Sequence, residues 1–116
     1  MSVSTDGILV FGIEIEDSSE EHELCSSIQD DYDKSKTLEE STGAKLVHHC
    51  SYDYPMYILG LSDTCQEASR GYPVTVDVTK IAGLDENDLN DRLASAAKAY
   101  GIKFQNGRWL LASLWG

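Results

Sequence analysis

The nine residues "GILVFGIEI", Gly7 to Ile15, are apolar on both sides of an extended chain. Leu9, Phe11, Ile13 and Ile15 alternate with Ile8, Val10, Gly12 and Glu14. Alternate side chains of a strand point to opposite faces, so a strand that is apolar on both belongs inside a sheet rather than at its edge. Gly12 within such a run marks a bulge or the close approach of another backbone. Everything else in the chain must be arranged to cover this strand.

The remaining patterns supply the cover. "KLVHHCS" (Lys45 to Ser51) and "YPMYILGLS" (Tyr54 to Ser62) read as two further strands, joined by a turn at Ser51 to Asp53 that places Pro55 at a strand start. "TCQEASRG" (Thr64 to Gly71) reads as a polar antiparallel partner near an edge, and "GYPVTVDVT" continues from it as an extended stretch. Leu84 to Tyr100 is the clearest helix. Asp85 caps it, Leu89, Leu93, Ala96, Ala97 and Tyr100 make its buried stripe, and Gly101 ends it. Asn106-Gly107 turns the chain into a last strand, Arg108 to Trp115. Two shorter helices are expected near Ser19 to Gln29, with Leu24, Ile28 and Tyr32 as a stripe, and at Lys34 to Thr42, ending at Gly43. The order β-α-β-β-β-α-β predicts an α+β domain. About five mostly antiparallel strands carry two or three helices on one face.

At 116 residues the chain is one domain, 1–116, long enough to bury a core without staples. Its first eighteen residues carry Asp6 and Glu14 in place of a basic leader, and no apolar run approaches the ~20 residues of a membrane span. Three unpatterned cysteines, Cys25, Cys50 and Cys65, argue against a disulfide framework and for a reducing compartment.

The net charge of −11 is uneven. Met1 to Lys45 holds twelve acids and three bases, whereas Leu46 to Gly116 holds eight acids and six bases. The acidic segment, residues 16–42, repels nucleic-acid phosphates and attracts basic protein surfaces at a distance. The carboxylates expected to contact such a partner are Glu16, Asp17, Glu20, Glu21, Glu23, Asp30, Asp31 and Asp33. Their competing reading is a solvated, solubilising face.

Two other clusters carry weaker chemistry. Tyr52, Tyr54 and Tyr72 form an alternative, aromatic partner-binding or self-association surface. His48, His49 and Cys50 suggest a metal ligand set or a thiol nucleophile. Strand alternation, however, sends His49 away from His48 and Cys50, leaving His22, Cys25 or Cys65 to complete a site. No CxxC, HExxH, GxxxxGK or GxGxxG spacing occurs, so no metal, cofactor or catalytic residue is expected.

The segments "STDGIL" (Ser4 to Leu9), "HCSYDYPMYIL" (His49 to Leu59), "RGYP" (Arg70 to Pro73) and "RWLLASLWG" at the C-terminus resemble a family of small tailed-bacteriophage proteins without an assigned activity. The resemblance spans the chain except for the acidic segment, and it implies expression in the cytoplasm of an infected bacterium. By analogy with other small acidic phage proteins, it implies a non-catalytic inhibitor of host defence, of the anti-CRISPR type, acting as a DNA mimic. The implied partner is a CRISPR effector subunit with a basic nucleic-acid-binding surface. The protein would meet it as a monomer or homodimer, without touching nucleic acid or membrane.

Overall fold

A computed structural model describes residues 5–16, 20–51, 55–69 and 71–115. The elements run β1 (Thr5–Ile15), α1 (Glu20–Asp30), α2 (Tyr32–Thr42), β2 (Ala44–Ser51), β3 (Pro55–Leu61), a 3-10 turn (Ser62–Thr64), β4 (Gln66–Ala68), α3 (Val78–Ala82), α4 (Glu86–Tyr100) and β5 (Arg108–Trp115). The fold is α+β, a five-stranded mixed sheet with helices on one face, as the pattern predicts. No helix among the described residues is long and apolar enough to cross a membrane.

β1 holds the sheet together. It pairs antiparallel with β5 over Thr5 to Gly12, with β4 over Gly7 to Leu9, and with β3 over Gly12 to Ile15. β2 pairs antiparallel with β3, and its end meets β5 in a short parallel contact, Cys50 opposite Leu114 and Ser51 opposite Trp115. The pairings β1–β3–β2–β5–β1 therefore return to their start, and the sheet closes on itself. In a closed sheet the inward side chains must fill the interior. Ile8, Val10, Val47 and Ile58 form that inner cluster, with Leu110, Ala112 and Leu114 packed against it.

Closure brings β1 and β3 very close, and two glycines permit it. Gly12 and Gly60 lie opposite one another, both on the inner face. A Cβ on Gly60 would meet Val10 Cγ2 at 2.5 Å, and one on Gly12 would meet Gly60 Cα and Ile58 Cγ2 at 2.9 Å as well as the Leu59 carbonyl. Where β3 gives way to β4, a side chain replaces the missing ladder bond. Thr64 Oγ1 accepts from the Phe11 amide at 3.1 Å and donates to the Leu61 carbonyl at 2.7 Å.

The outer face of β1, with Phe11, Ile13 and Ile15, meets the helices. Cys25 and Ile28 of α1 and Leu89, Leu93, Ala96 and Ala97 of α4 close over it. The caps are those the sequence predicts: the Asp85 carboxylate accepts from the Asn87 amide at 2.9 Å, and Gly43 and Gly101 end α2 and α4 with left-handed backbone. Tyr100 ties α4 to β2 by donating from its hydroxyl to the Ala44 carbonyl at 2.6 Å.

Three details differ from expectation. Tyr32 does not extend the α1 stripe. α1 stops at Asp30, Asp31 caps a new helix by accepting from the Lys34 amide, and Tyr32 is 72% exposed. The edge strand β4 is three residues long, not the whole of Thr64 to Gly71. A short helix, α3, follows the extended stretch because Asp77 accepts from the Lys80 amide at 3.0 Å.

The facing glycines yield a sharp expectation. Gly12→Ala and Gly60→Ala each cost about 3 kcal/mol, the upper range for overpacking. Gly7→Ala, whose Cβ meets nothing within 4 Å, is tolerated. Thermal unfolding followed by circular dichroism measures all three, and an unchanged midpoint for Gly12→Ala would contradict the close β1–β3 approach.

Candidate functional site

The acidic segment folds onto the body as two helices rather than a loop. α1 turns Cys25 and Ile28 into the core and leaves Glu20, Glu23 and Asp30 exposed, three- and seven-residue steps that keep them on one side of the helix. Two hydrogen bonds anchor its first turn. The Lys103 amide donates to Glu21 Oε2 at 2.6 Å, and His22 Nε2 donates to the Pro55 carbonyl at 2.9 Å. The His22 ring also lies 5.3 Å from that of buried Tyr57.

The eight expected carboxylates thus divide by role. Glu20, Glu23, Asp30 and Asp33 are exposed and have no lysine or arginine partner among the described residues. Glu21 is half-buried and spent on the Lys103 amide, and Asp31 is exposed but occupied in capping α2. Glu16 is exposed just past the end of β1, lining a cleft with Glu21, and Asp17 lies outside the described residues. α2 dilutes the field with Lys34 and Lys36, the latter 5.9 Å from the Tyr32 ring centroid.

α4 adds carboxylates that the charge count concealed. Glu86, Asp88 and Asp91 are exposed on its N-terminal half, and α4 packs beside α2 over the same sheet face. Their signal was lost because the bases after Leu46 nearly balance the acids in the sum. One of those bases, Arg92, is itself held by Asp63 at 2.8 Å. Exposed carboxylates therefore occur on α1, at the start of α2 and at the start of α4.

The histidine–cysteine cluster does not assemble. His48 lies on the outer side of β2, its ring 6.0 Å from Tyr57 and its Nε2 3.2 Å from the Ser51 carbonyl oxygen. His49 points to the inner side with Val47. Cys50, expected to share the face of His48, has φ of 74°, and this left-handed residue breaks the alternation. Burial, reinforced by the charge of Glu21, pushes the Cys25 thiol up to about 11, and burial also raises Cys65, so both are poor nucleophiles at neutral pH. No three of His, Cys, Asp and Glu among the described residues could hold a metal ion. The groove lined by Glu14, Glu16, Gln105, Asn106 and Arg108 is largely polar.

In the aromatic cluster, Tyr72 is exposed, whereas Tyr52 and Tyr54 lie outside the described residues. No family model, curated protein or solved structure matches the chain.

His49 carries a pH dependence. Its Nε2 is buried without a hydrogen-bond partner among the described residues. Burial lowers its affinity for a proton, Glu14 opposes that and His48 adds to it. The unfolded chain therefore binds this proton more readily than the folded one. The stability contribution is complete above the ordinary histidine value of 6.5 and is lost as pH falls below it. Urea midpoints should drop on acidification from neutrality, and His49→Leu should flatten that drop. An equal slope in wild type and variant would remove His49 as the cause.

Proposed function

We propose that the protein is a non-catalytic acidic binding protein, phage-encoded and acting in the cytoplasm of an infected bacterium. It covers the basic nucleic-acid-binding surface of a host defence complex, of which a CRISPR effector subunit is the leading candidate. The observation that carries this reading is the set of exposed carboxylates, without basic partners among the described residues, on a helical layer anchored to the core. Glu20, Glu23 and Asp30 lie along about 15 Å of helix axis, a span over which one DNA strand presents about four phosphates. The helical layer is thus a diluted version of that ladder, with Asp33, Asp88 and Asp91 adding to it.

Fixed carboxylates on such a layer favour fast, salt-sensitive encounter with a basic groove. Anchoring matters here, because a floppy tract would pay ordering entropy on binding. The absence of an assembled histidine–cysteine constellation favours binding over catalysis as the reading.

The test is capture of partners from bacterial lysate at low and high salt, followed by competition with DNA for each captured protein. Basic nucleic-acid-binding proteins are expected at low salt, displaced as salt rises. The variant Glu20→Gln/Glu23→Gln/Asp30→Asn/Asp33→Asn should bind about tenfold more weakly or worse, a loss of at least about 1.4 kcal/mol. Salt-independent capture, or undiminished binding by the variant, would discard electrostatic mimicry.

A further inference from the structure

Residues 71–80 are all exposed. Such a stretch is ordinarily polar, yet this one reads "GYPVTVDVTK". Tyr72, Val74, Val76 and Val78 recur at every second position and are 76%, 47%, 38% and 70% exposed. In an extended chain Tyr72, Val74 and Val76 share one side, and Val78 follows them as the first residue of α3. The amides of Val74, Thr75 and Val76 make no hydrogen bond among the described residues. An apolar, β-branched, extended segment with an unpaired backbone is a template for strand addition.

We propose that this segment pairs with the same segment of a second copy of the chain, antiparallel, about a two-fold axis at Thr75. The sequence is self-complementary in that register. Val74 faces Val76 of the second copy, Tyr72 faces Val78, and Pro73 faces Asp77, so all four apolar side chains find apolar partners. A one-residue slip would set each of them against a polar neighbour, proline or glycine. Proline lacks an amide hydrogen, and this register does not need one. With Thr75 opposite Thr75 as a non-hydrogen-bonded pair, Pro73 and Asp77 form another, and the bonds fall on Val74 and Val76. The Tyr72 amide already donates to the Ser69 carbonyl at 2.9 Å, and α3 begins at Val78. The ladder therefore ends there, with four bonds, and Tyr72 and Val78 contribute side-chain contact alone.

Two further observations favour a second copy as the occupant. The segment is nearly uncharged, with Asp77 its one charged residue between Gly71 and Thr79, so two chains of net charge −11 can approach there with little local repulsion. A two-fold pairing uses the Val74 and Val76 amides of both chains and closes, so it produces dimers, not fibres. The contact is small, and its dissociation constant falls in the high micromolar range.

Sedimentation from about 10 µM to about 1 mM should show reversible dimers, a range set by the expected affinity. Dimerisation should strengthen with salt, as screening relieves the repulsion between two acidic chains. This is opposite to the salt response of the proposed basic partner, so the two ideas fail separately. In a Cys50→Ser/Cys65→Ser background, Thr75→Cys should oxidise rapidly to a covalent dimer, because a non-hydrogen-bonded pair sets its Cα atoms about 4.5 Å apart. Ser95→Cys, exposed on α4, is the collision control and should link far more slowly. Val74→Lys/Val76→Lys should restore the monomer with an unchanged circular dichroism spectrum. A monomer at every concentration, cross-linking no faster at Thr75→Cys than at Ser95→Cys, or a dimer surviving the lysine pair would each overturn the proposal.

Discussion

The whole fold depends on burying both faces of β1. A strand with Ile8 and Val10 on one side and Phe11, Ile13 and Ile15 on the other cannot lie on a solvated sheet. At roughly 25 cal/mol per Å² of apolar surface, leaving either face wet would cost several kcal/mol. One face is covered conventionally, by α1 and α4. No helix remains for the other, so the sheet curls until its own strands cover it. Gly12 and Gly60 are the means of that curl, because any side chain at their point of approach would occupy the space of Val10 or of the β3 backbone.

Local chemistry was the legible part of this design. Asp85 before α4, Gly101 after it and Gly43 after α2 can each satisfy a helix end within a few residues, so their signals are contained in short windows. The two-faced pattern of β1 likewise announced its central position, and Gly12 announced either a bulge or a close approach, of which the structure has the latter. The partner at that approach was not legible, since Gly60 lies 48 residues away and only the β1–β3 register brings it opposite. Closure through β2 and β5 was hidden for the same reason, resting on two residue pairs between strands more than fifty residues apart. Cys50 misled because left-handed backbone is expected at glycine or asparagine, so alternation was carried one residue too far.

The candidate site was legible in kind but not in membership. Sequence alone located the acidic tract and its helical character. It could not separate Glu21 and Asp31, whose carboxylates are committed to backbone amides, from Glu20, Glu23, Asp30 and Asp33. Nor could a summed charge show that Glu86, Asp88 and Asp91 gather at one end of α4 while Arg92 turns to Asp63. A count of charges is blind to which of them are already engaged.

Closing the sheet also decides where function can reside. The inner face is full and the covered part of the outer face lies beneath helices, so neither can receive a ligand without unpacking the core. Among the surfaces of the described residues left open to recognition are the outward side of the helical layer and the exposed segment at residues 71–80. These two surfaces are opposite in character. The first is charged and carries little apolar area; the second is nearly uncharged and apolar at every second residue. Helices suit the former, because an amphipathic helix can spend one side on the core and leave the other wholly charged. An extended chain suits the latter, because only an unpaired backbone can offer hydrogen bonds to another strand.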